Sequence, residues 1–308
     1  MRLSKVFQKE LPFLFAIPAL IWQGLFLYLP LLVLFFYSLI KHSDTTNFVY
    51  FTFSSYLQVI NGIYLKVIIN SFLLALITAF VCLIIAYPVA FFLATKVKKR
   101  YRTFLLVSLI LPSWTNLIVQ VYAWFFLLEK NSFLVKVLRK IGILGYSSSL
   151  LNNYFSMLVG TVYCWLPFMI LPIYAVLEKM DKSLLEASAD LGANRFQTFK
   201  NVVLPISFNG IAAGFLLVFI PVFGEFVIPI LLGGGKKIFW GSVIVEKFLL
   251  LRDWKVGSAF AMIGVLLPIT LILLFIVIYK LLNYFSNQKK QMFSVDLAYK
   301  NHGGIVNG

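Results

Sequence analysis

The chain has 308 residues, of which 61% are apolar, 17% aromatic and only 12% charged, and its mean hydropathy is +0.93. Soluble chains carry about 25% charged residues, so a water-soluble domain is excluded and the bilayer is left as the solvent. The formal charge of +16 does not point to nucleic acid, because the basic residues mostly flank apolar runs, where they set topology and meet anionic headgroups.

The opening MRLSKVFQKE is basic, and the apolar run that follows it, Pro12 to Ile40, is too long for a signal-peptide core and shows no cleavage site. It reads as the first membrane anchor. About 20 apolar residues cross a bilayer as a helix. Six segments qualify, at about 12–40, 67–95, 104–128, 154–177, 206–232 and 258–282. Their apolar residues run continuously instead of alternating, so helices are expected and not a barrel. With the N-terminus in the cytoplasm, the inside segments hold 16 of the 27 Lys and Arg residues. KVKKRYR, Lys96 to Arg102, is the densest signal, and both termini are placed in the cytoplasm. Residues 1–285 read as one transmembrane domain, and 286–308 as a disordered cytoplasmic tail.

Cys82 and Cys164 fall inside apolar spans without metal-ligand spacing and read as small buried hydrophobes. His42 and His302, in a loop and in the tail, make no catalytic or metal pair. Gly233-Gly234-Gly235-Lys236-Lys237 invites a phosphate-loop reading that fails. Ile230 stands where the first glycine is needed, and Lys237 where a Ser or Thr is needed.

The third expected span carries Ser113, Asn116, Gln120 and Trp124 at steps of 3, 4 and 4 residues, within about 80° of arc on an uninterrupted helix. Two readings stand for this stripe: a path for an amine, held by hydrogen bonds and cation–π contacts, and glue between helices. Glu225 is the one acidic residue deep in a span. A charge there costs roughly 2.5–3.5 kcal/mol and needs a partner or water. Pro221, Gly224 and Pro229 around it predict a kinked or unwound fifth helix. Glu225 is a candidate for the path of a cationic solute, with a structural interhelical hydrogen bond as the alternative.

Between the fourth and fifth spans lies a polar stretch, 179–205, that lipid does not explain. Ser183 and Glu186 form an S-x-x-E capping box, which starts a short helix at Leu184, and Gly192 is placed to end it in the left-handed conformation. Leu184, Ala187, Ser188 and Leu191 share a face, and a second short helix follows from about Asn194. Pro205 then opens the fifth span at a first-turn position. Physics alone leaves two readings, an amphipathic loop on the headgroups and a docking element for a cytoplasmic partner.

Glu186-Ala187-Ser188, then Gly192, then Val202-Val203-Leu204-Pro205 resembles the EAA loop of ABC-importer permeases: E-A-A, three residues, G, nine residues, I-x-L-P. Ser188 and Val202 depart from it by near-isosteric replacements. The resemblance covers about 12–285. Three further stretches, LPSWTNLIVQVYAW (111–124), GEFVIPILLGGGK (224–236) and RDWKVGSA (252–259), resemble the spermidine/putrescine branch of the family.

The resemblance implies an all-α polytopic MetI-like transmembrane domain of six helices, in the cytoplasmic (inner) membrane of a bacterium. It also implies a coupling helix that docks on a separate ATPase through Glu186, Ala187, Ser188, Gly192, Leu204 and Pro205. The implied partners are the ATPase subunits, which bind ATP in place of this chain, a second homologous permease and an extracytoplasmic solute-binding protein. The implied role is half of a polyamine pathway, non-catalytic in itself. Iron complexes, oxyanions or opines are alternative solutes. An ion-driven secondary transporter would show inverted repeats and more intramembrane ionisable groups. A membrane enzyme would need a nucleophile–base or metal cluster, and none can be assembled.

Overall fold

A computed structural model describes residues 16–42, 49–60, 62–145, 148–181, 183–270 and 273. The N-terminal residues 1–15, the far end of the sixth expected span and the tail 286–308 lie outside them. Packing groups the chain through Phe260 into one unit and 261–308 into another.

Helix α1, Ala16–Leu39, is long and apolar enough to cross a membrane, and most of its side chains are exposed. It leads into a two-stranded ribbon that the sequence did not announce, with β1 (Ile40–His42) antiparallel to β2 (Val49–Phe51) and Lys41 opposite Tyr50. The short helix α2, Ser54–Ile60, returns toward α1, and the Ser38 and Tyr56 hydroxyls meet at 2.7 Å.

The centre of the first unit is a three-helix core. Helix α3, Gly62–Thr95, starts five residues before the expected span. It presents Ala75, Ala79, Cys82, Ala86 and Ala90 as a buried seam at helical spacing. In lipid, helices associate through close packing and hydrogen bonds because tails solvate Leu as well as protein does. The seam supplies the first. Thr78 supplies the second by meeting Thr161 at 3.1 Å on helix α7, Tyr154–Glu178.

Between α3 and α7, the expected straight span 104–128 is broken. Helix α4, Lys99–Ile110, tightens into a 3₁₀ turn over Leu111–Trp114, and α5, Leu117–Leu128, departs at 89° across the break. The short amphipathic helix α6, Phe133–Lys140, follows. The cause is local. Pro112 lacks an N–H, and Asn116 takes an extended conformation and caps α5 with its own side chain, 2.8 Å from the Ile118 N–H.

Helix α7 matches the expected fourth span and is started by a capping box in which Asn153 and Ser156 bond reciprocally. The third core helix comes after the short helix α8, Ser183–Asp190. This is α9, Arg195–Phe223, and it packs on both α3 and α7. Its backbone comes very close to α7. A Cβ at Gly210 would lie 2.7 Å from the Pro172 carbonyl oxygen, and one at Gly214 would lie 2.9 Å from the Met169 sulfur. Backbone closes on Gly210, and at Gly214 the Met169 side chain would have to shift; the two are spaced as in the G-x-x-x-G pairs of membrane helices.

The chain then breaks at Gly224 to Phe226 and resumes as α10, Val227–Gly233. After α11, Trp240–Val245, and a π-turn at Glu246–Leu250 comes α12, Trp254–Thr270, the described part of the sixth expected span. Among the described residues, four helices are long enough to span, or five if the bent pair is one span.

Candidate functional site

Within the polar stretch, residues 183–205 form a helix-turn-helix. Its first helix, α8, starts at Ser183, one residue before expectation. The Asp181 carboxylate accepts from the Ser183 N–H at 3.0 Å, so Asp181 and not Ser183 anchors the start. That hydrogen bonding holds the Asp181 carboxyl below its ordinary value. At the far end, Gly192 has φ +77°, the Ala193 N–H bonds the Ser188 carbonyl, and the Gly192 N–H bonds the Ala189 carbonyl. This is a Schellman closure around a left-handed glycine, as the sequence predicted.

Asn194 and Gln197 cap α9 reciprocally, both bonds at 2.9 Å. Here the structure departs from expectation. The second short helix and the fifth span are one continuous helix, with a π-turn over Phe199–Val203 in which the Leu204 N–H bonds the Phe199 carbonyl. Pro205 therefore does not open a new helix. The widened turn re-routes the ladder just ahead of it, where the missing N–H would have left a carbonyl unpaired.

Ser188, the departure from the family's third alanine, is buried and bonds Thr198 at 2.9 Å, tying α8 to the first turn of α9. No periodicity links positions ten apart, so sequence reading missed this contact. Glu186, Ala187 and Gly192 are exposed. Leu191 is 88% exposed and Phe196 71%, large apolar side chains left uncovered beside Glu186 and Asp190. Leu204 is partly exposed and Pro205 exposed, both along the start of α9.

The entry to this stretch is pinned as well. Arg102, in the first turn of α4, is buried and donates from Nε to the Val97 carbonyl at 2.9 Å, and its Nη1 lies 3.7 Å from Glu178 at the end of α7. Tyr174 lies against both groups. Sequence reading counted Arg102 only as one positive charge among five.

Within the membrane, Glu225 is 7% exposed and sits in the break between α9 and α10. Its Oε1 accepts from the Phe226 N–H at 3.1 Å and the Val227 N–H at 2.9 Å, which caps α10. The expected unwinding is present, and the carboxylate satisfies the donors it frees. A Cβ on Gly241 would strike the Gly224 carbonyl, so α11 packs backbone to backbone on the break.

The polar stripe needs a correction. Ser113 lies before the 89° bend and Gln120 and Trp124 after it, so the four residues do not line one continuous helix. Their polar groups serve the bend. The Ser113 hydroxyl donates to the Ile110 carbonyl at 2.6 Å, Asn116 caps α5, and Gln120 donates to the Pro112 and Thr115 carbonyls at 2.9 and 3.0 Å. Trp124 packs edge-on against Tyr163. The structure does pack α5 on α10, so the two broken spans meet. Among the described residues, no cluster of His, Cys, Asp and Glu could hold a metal.

Residues 86–291 match the family described as the binding-protein-dependent transport system inner membrane component. The chain belongs to this family. It is a multi-pass permease subunit of an ABC importer, a membrane component with a transport role. The spermidine/putrescine permease protein PotB of Haemophilus influenzae is 39% identical over 273 residues, 88% of this permease and 93% of that protein. PotB of Escherichia coli K12 is 36% identical over 240 residues, 77% of this permease and 86% of its relative. A solved bacterial ABC transporter involved in the import of the acidic polysaccharide alginate shares the fold, with a TM-score of 0.66 at 17% identity over 89% of this permease and 96% of that chain. That transporter has also been solved in complex with an alginate-bound periplasmic protein, and this permease likewise belongs to a binding-protein-dependent system.

Proposed function

We propose that this permease forms half of the pathway of an ATP-driven polyamine importer. The observation that carries the solute class is the 39% identity to a spermidine/putrescine permease along nearly the whole of both chains. In this reading six helices span the membrane with both termini in the cytoplasm. A second homologous permease completes the pathway, and an extracytoplasmic binding protein delivers the solute.

The ATPase subunits dock on the helix-turn-helix 183–205. The support is physical: Leu191 and Phe196 are exposed on an element closed by a Schellman turn, a capping box and the Ser188–Thr198 bond. A rigid, partly apolar knob beside two carboxylates suits a groove on a partner. Glu225, beside the broken span that carries Trp124 and whose bend Ser113, Asn116 and Gln120 hold, is the proposed solute-facing group. There Glu225 draws the cation electrostatically while its Oε1 holds the break.

The experiment is reconstitution of the four kinds of subunit in liposomes, with radiolabelled spermidine and putrescine. ATP-dependent uptake of either is the expected result. Uptake confined to an oxyanion or an iron complex overturns the solute class. Uptake by this chain alone without ATP overturns the importer mechanism, and wild-type coupling in Glu186→Lys overturns the docking site.

A further inference from the structure

The turn between α3 and α4 gathers cations that the fold leaves largely without anionic partners; Arg100 lies over the Tyr101 ring at 5.9 Å. Of its five basic residues, only Arg102 is buried and engaged, on the Val97 carbonyl and Glu178. Lys96, Lys98, Lys99 and Arg100 are exposed, and among the described residues none has an acidic partner. The first turn of α4 holds no acidic residue to offset them. Such a cluster calls for an external anion.

Beside it, α3 and α4 flank an open groove of about 460 Å³ lined by Pro88, Val89, Phe92, Leu93, Leu105, Ser108 and Leu109. Small-molecule sites commonly measure about 300–1,000 Å³. The lining offers a ligand no polar group, because the one hydroxyl, on Ser108, already donates to the Phe104 carbonyl at 2.9 Å. A polyamine has nothing to bind there, and a hydrocarbon chain does.

The two features are in register. At about 1.5 Å per residue, the α3 wall runs from about 6 Å at Phe92 to about 12 Å at Pro88 away from Lys96. That depth lies within one leaflet of a hydrocarbon core about 30 Å thick. A phosphate on the turn and an acyl chain in the groove therefore belong to one amphiphile. We propose that the α3–α4 groove is a binding site for an anionic phospholipid, its acyl chain against Val89, Phe92 and Leu105 and its phosphate on Lys96, Lys98, Lys99 and Arg100. Charge complementarity selects the lipid as occupant over a helix of a second permease. Arg102 fixes the turn that carries Lys96, Lys98, Lys99 and Arg100.

The test does not depend on which solute is carried. The full chain, purified with its co-purifying subunits, is delipidated and offered phosphatidylglycerol or phosphatidylcholine, and bound lipid is counted by native mass spectrometry. Wild-type protein should retain phosphatidylglycerol at least about tenfold better, since each surface cation strengthens attraction to anionic lipid. Neutralising Lys96, Lys98, Lys99 and Arg100 to Gln should abolish the headgroup preference, and Leu105→Trp should reduce retention of both lipids. The Gln variant changes only exposed side chains, so it remains informative if the Trp variant does not assemble. Equal retention of the two lipids by wild type, or an unchanged preference in the Gln variant, overturns the proposal. So does a cysteine crosslink placing a second permease's helix in the groove.

Discussion

Gly192 separates backbone geometry from side-chain bulk. Its φ of +77° lies where an L residue pays about 1–2 kcal/mol, and an added Cβ meets nothing within 4 Å. Gly192→Ala therefore carries only the conformational term, which is a factor of about 5–30 in the population of the closed turn. Gly192→Pro is different in kind. It pins φ near −65°, removes the N–H that bonds Ala189 at 2.9 Å, and pushes Leu191 out of the helical region. That cost is about 3 kcal/mol or more, enough to open the helix-turn-helix while the spans stay inserted. The assay is ATP-driven spermidine uptake in proteoliposomes at matched protein, with ATPase association measured by co-purification. Partial uptake is expected from the Ala variant and less than about a tenth from the Pro variant. Wild-type uptake by Gly192→Pro with normal ATPase association would refute the coupling assignment. Equal loss in the two variants would refute the argument from backbone conformation.

Glu225→Gln should keep assembly, because the amide oxygen can still accept from Phe226 and Val227, and should cut uptake if the charge attracts the solute. Full uptake removes Glu225 from the pathway. Glu225→Leu leaves two buried donors open at about 1–3 kcal/mol each and should lower the yield of assembled complex, read by size-exclusion chromatography. Gly214→Leu drives a side chain into Met169 and its carbonyl, and should eliminate folded permease from detergent extracts; a normal elution profile would contradict the close helix contact. At Asp181 the folded pKa is depressed, so its contribution is full above the ordinary carboxylate range near pH 4 and is lost as pH falls through the lowered value. The protection factor of the Ser183 amide, corrected for intrinsic exchange, should fall in that acid window, and a protection factor independent of pH would rule out the cap.

Long apolar runs and helix punctuation were legible in the sequence. The bilayer class, α7 with its bounds, the left-handed Gly192 and the break at Glu225 all rest on signals within a few residues of one another. What escaped depends on contacts across the chain or on competition between local rules. The bend at Thr115 and Asn116 is an example, because Pro112 inside an apolar run is compatible with a mere kink. Only the extended Asn116 and the reach of Gln120 back over the break decide for an 89° turn. The π-turn ahead of Pro205 shows the reverse error. A proline that usually opens a helix is carried within a continuous one, because the ladder shifts by one residue to make room. Ser188 looked like a silent replacement for alanine until its hydroxyl met Thr198.

The glycine seam has a mechanical consequence. Helix α7 leads into the helix-turn-helix and α9 leads out of it, and the two press backbone to backbone at Gly210 and Gly214. Interfaces of that closeness resist sliding, since shear at Gly210 drives the Pro172 carbonyl into a main chain that carries no side chain. A push on residues 183–205 then reaches both helices as a single strut. If the ATPase subunits dock there as proposed, the loop is the handle of a lever whose yielding points lie at the far end, where Gly224 to Phe226 leave the helix. Under that proposal, stiffness near the grip and compliance near the break would turn a short stroke at one face into an opening at the other.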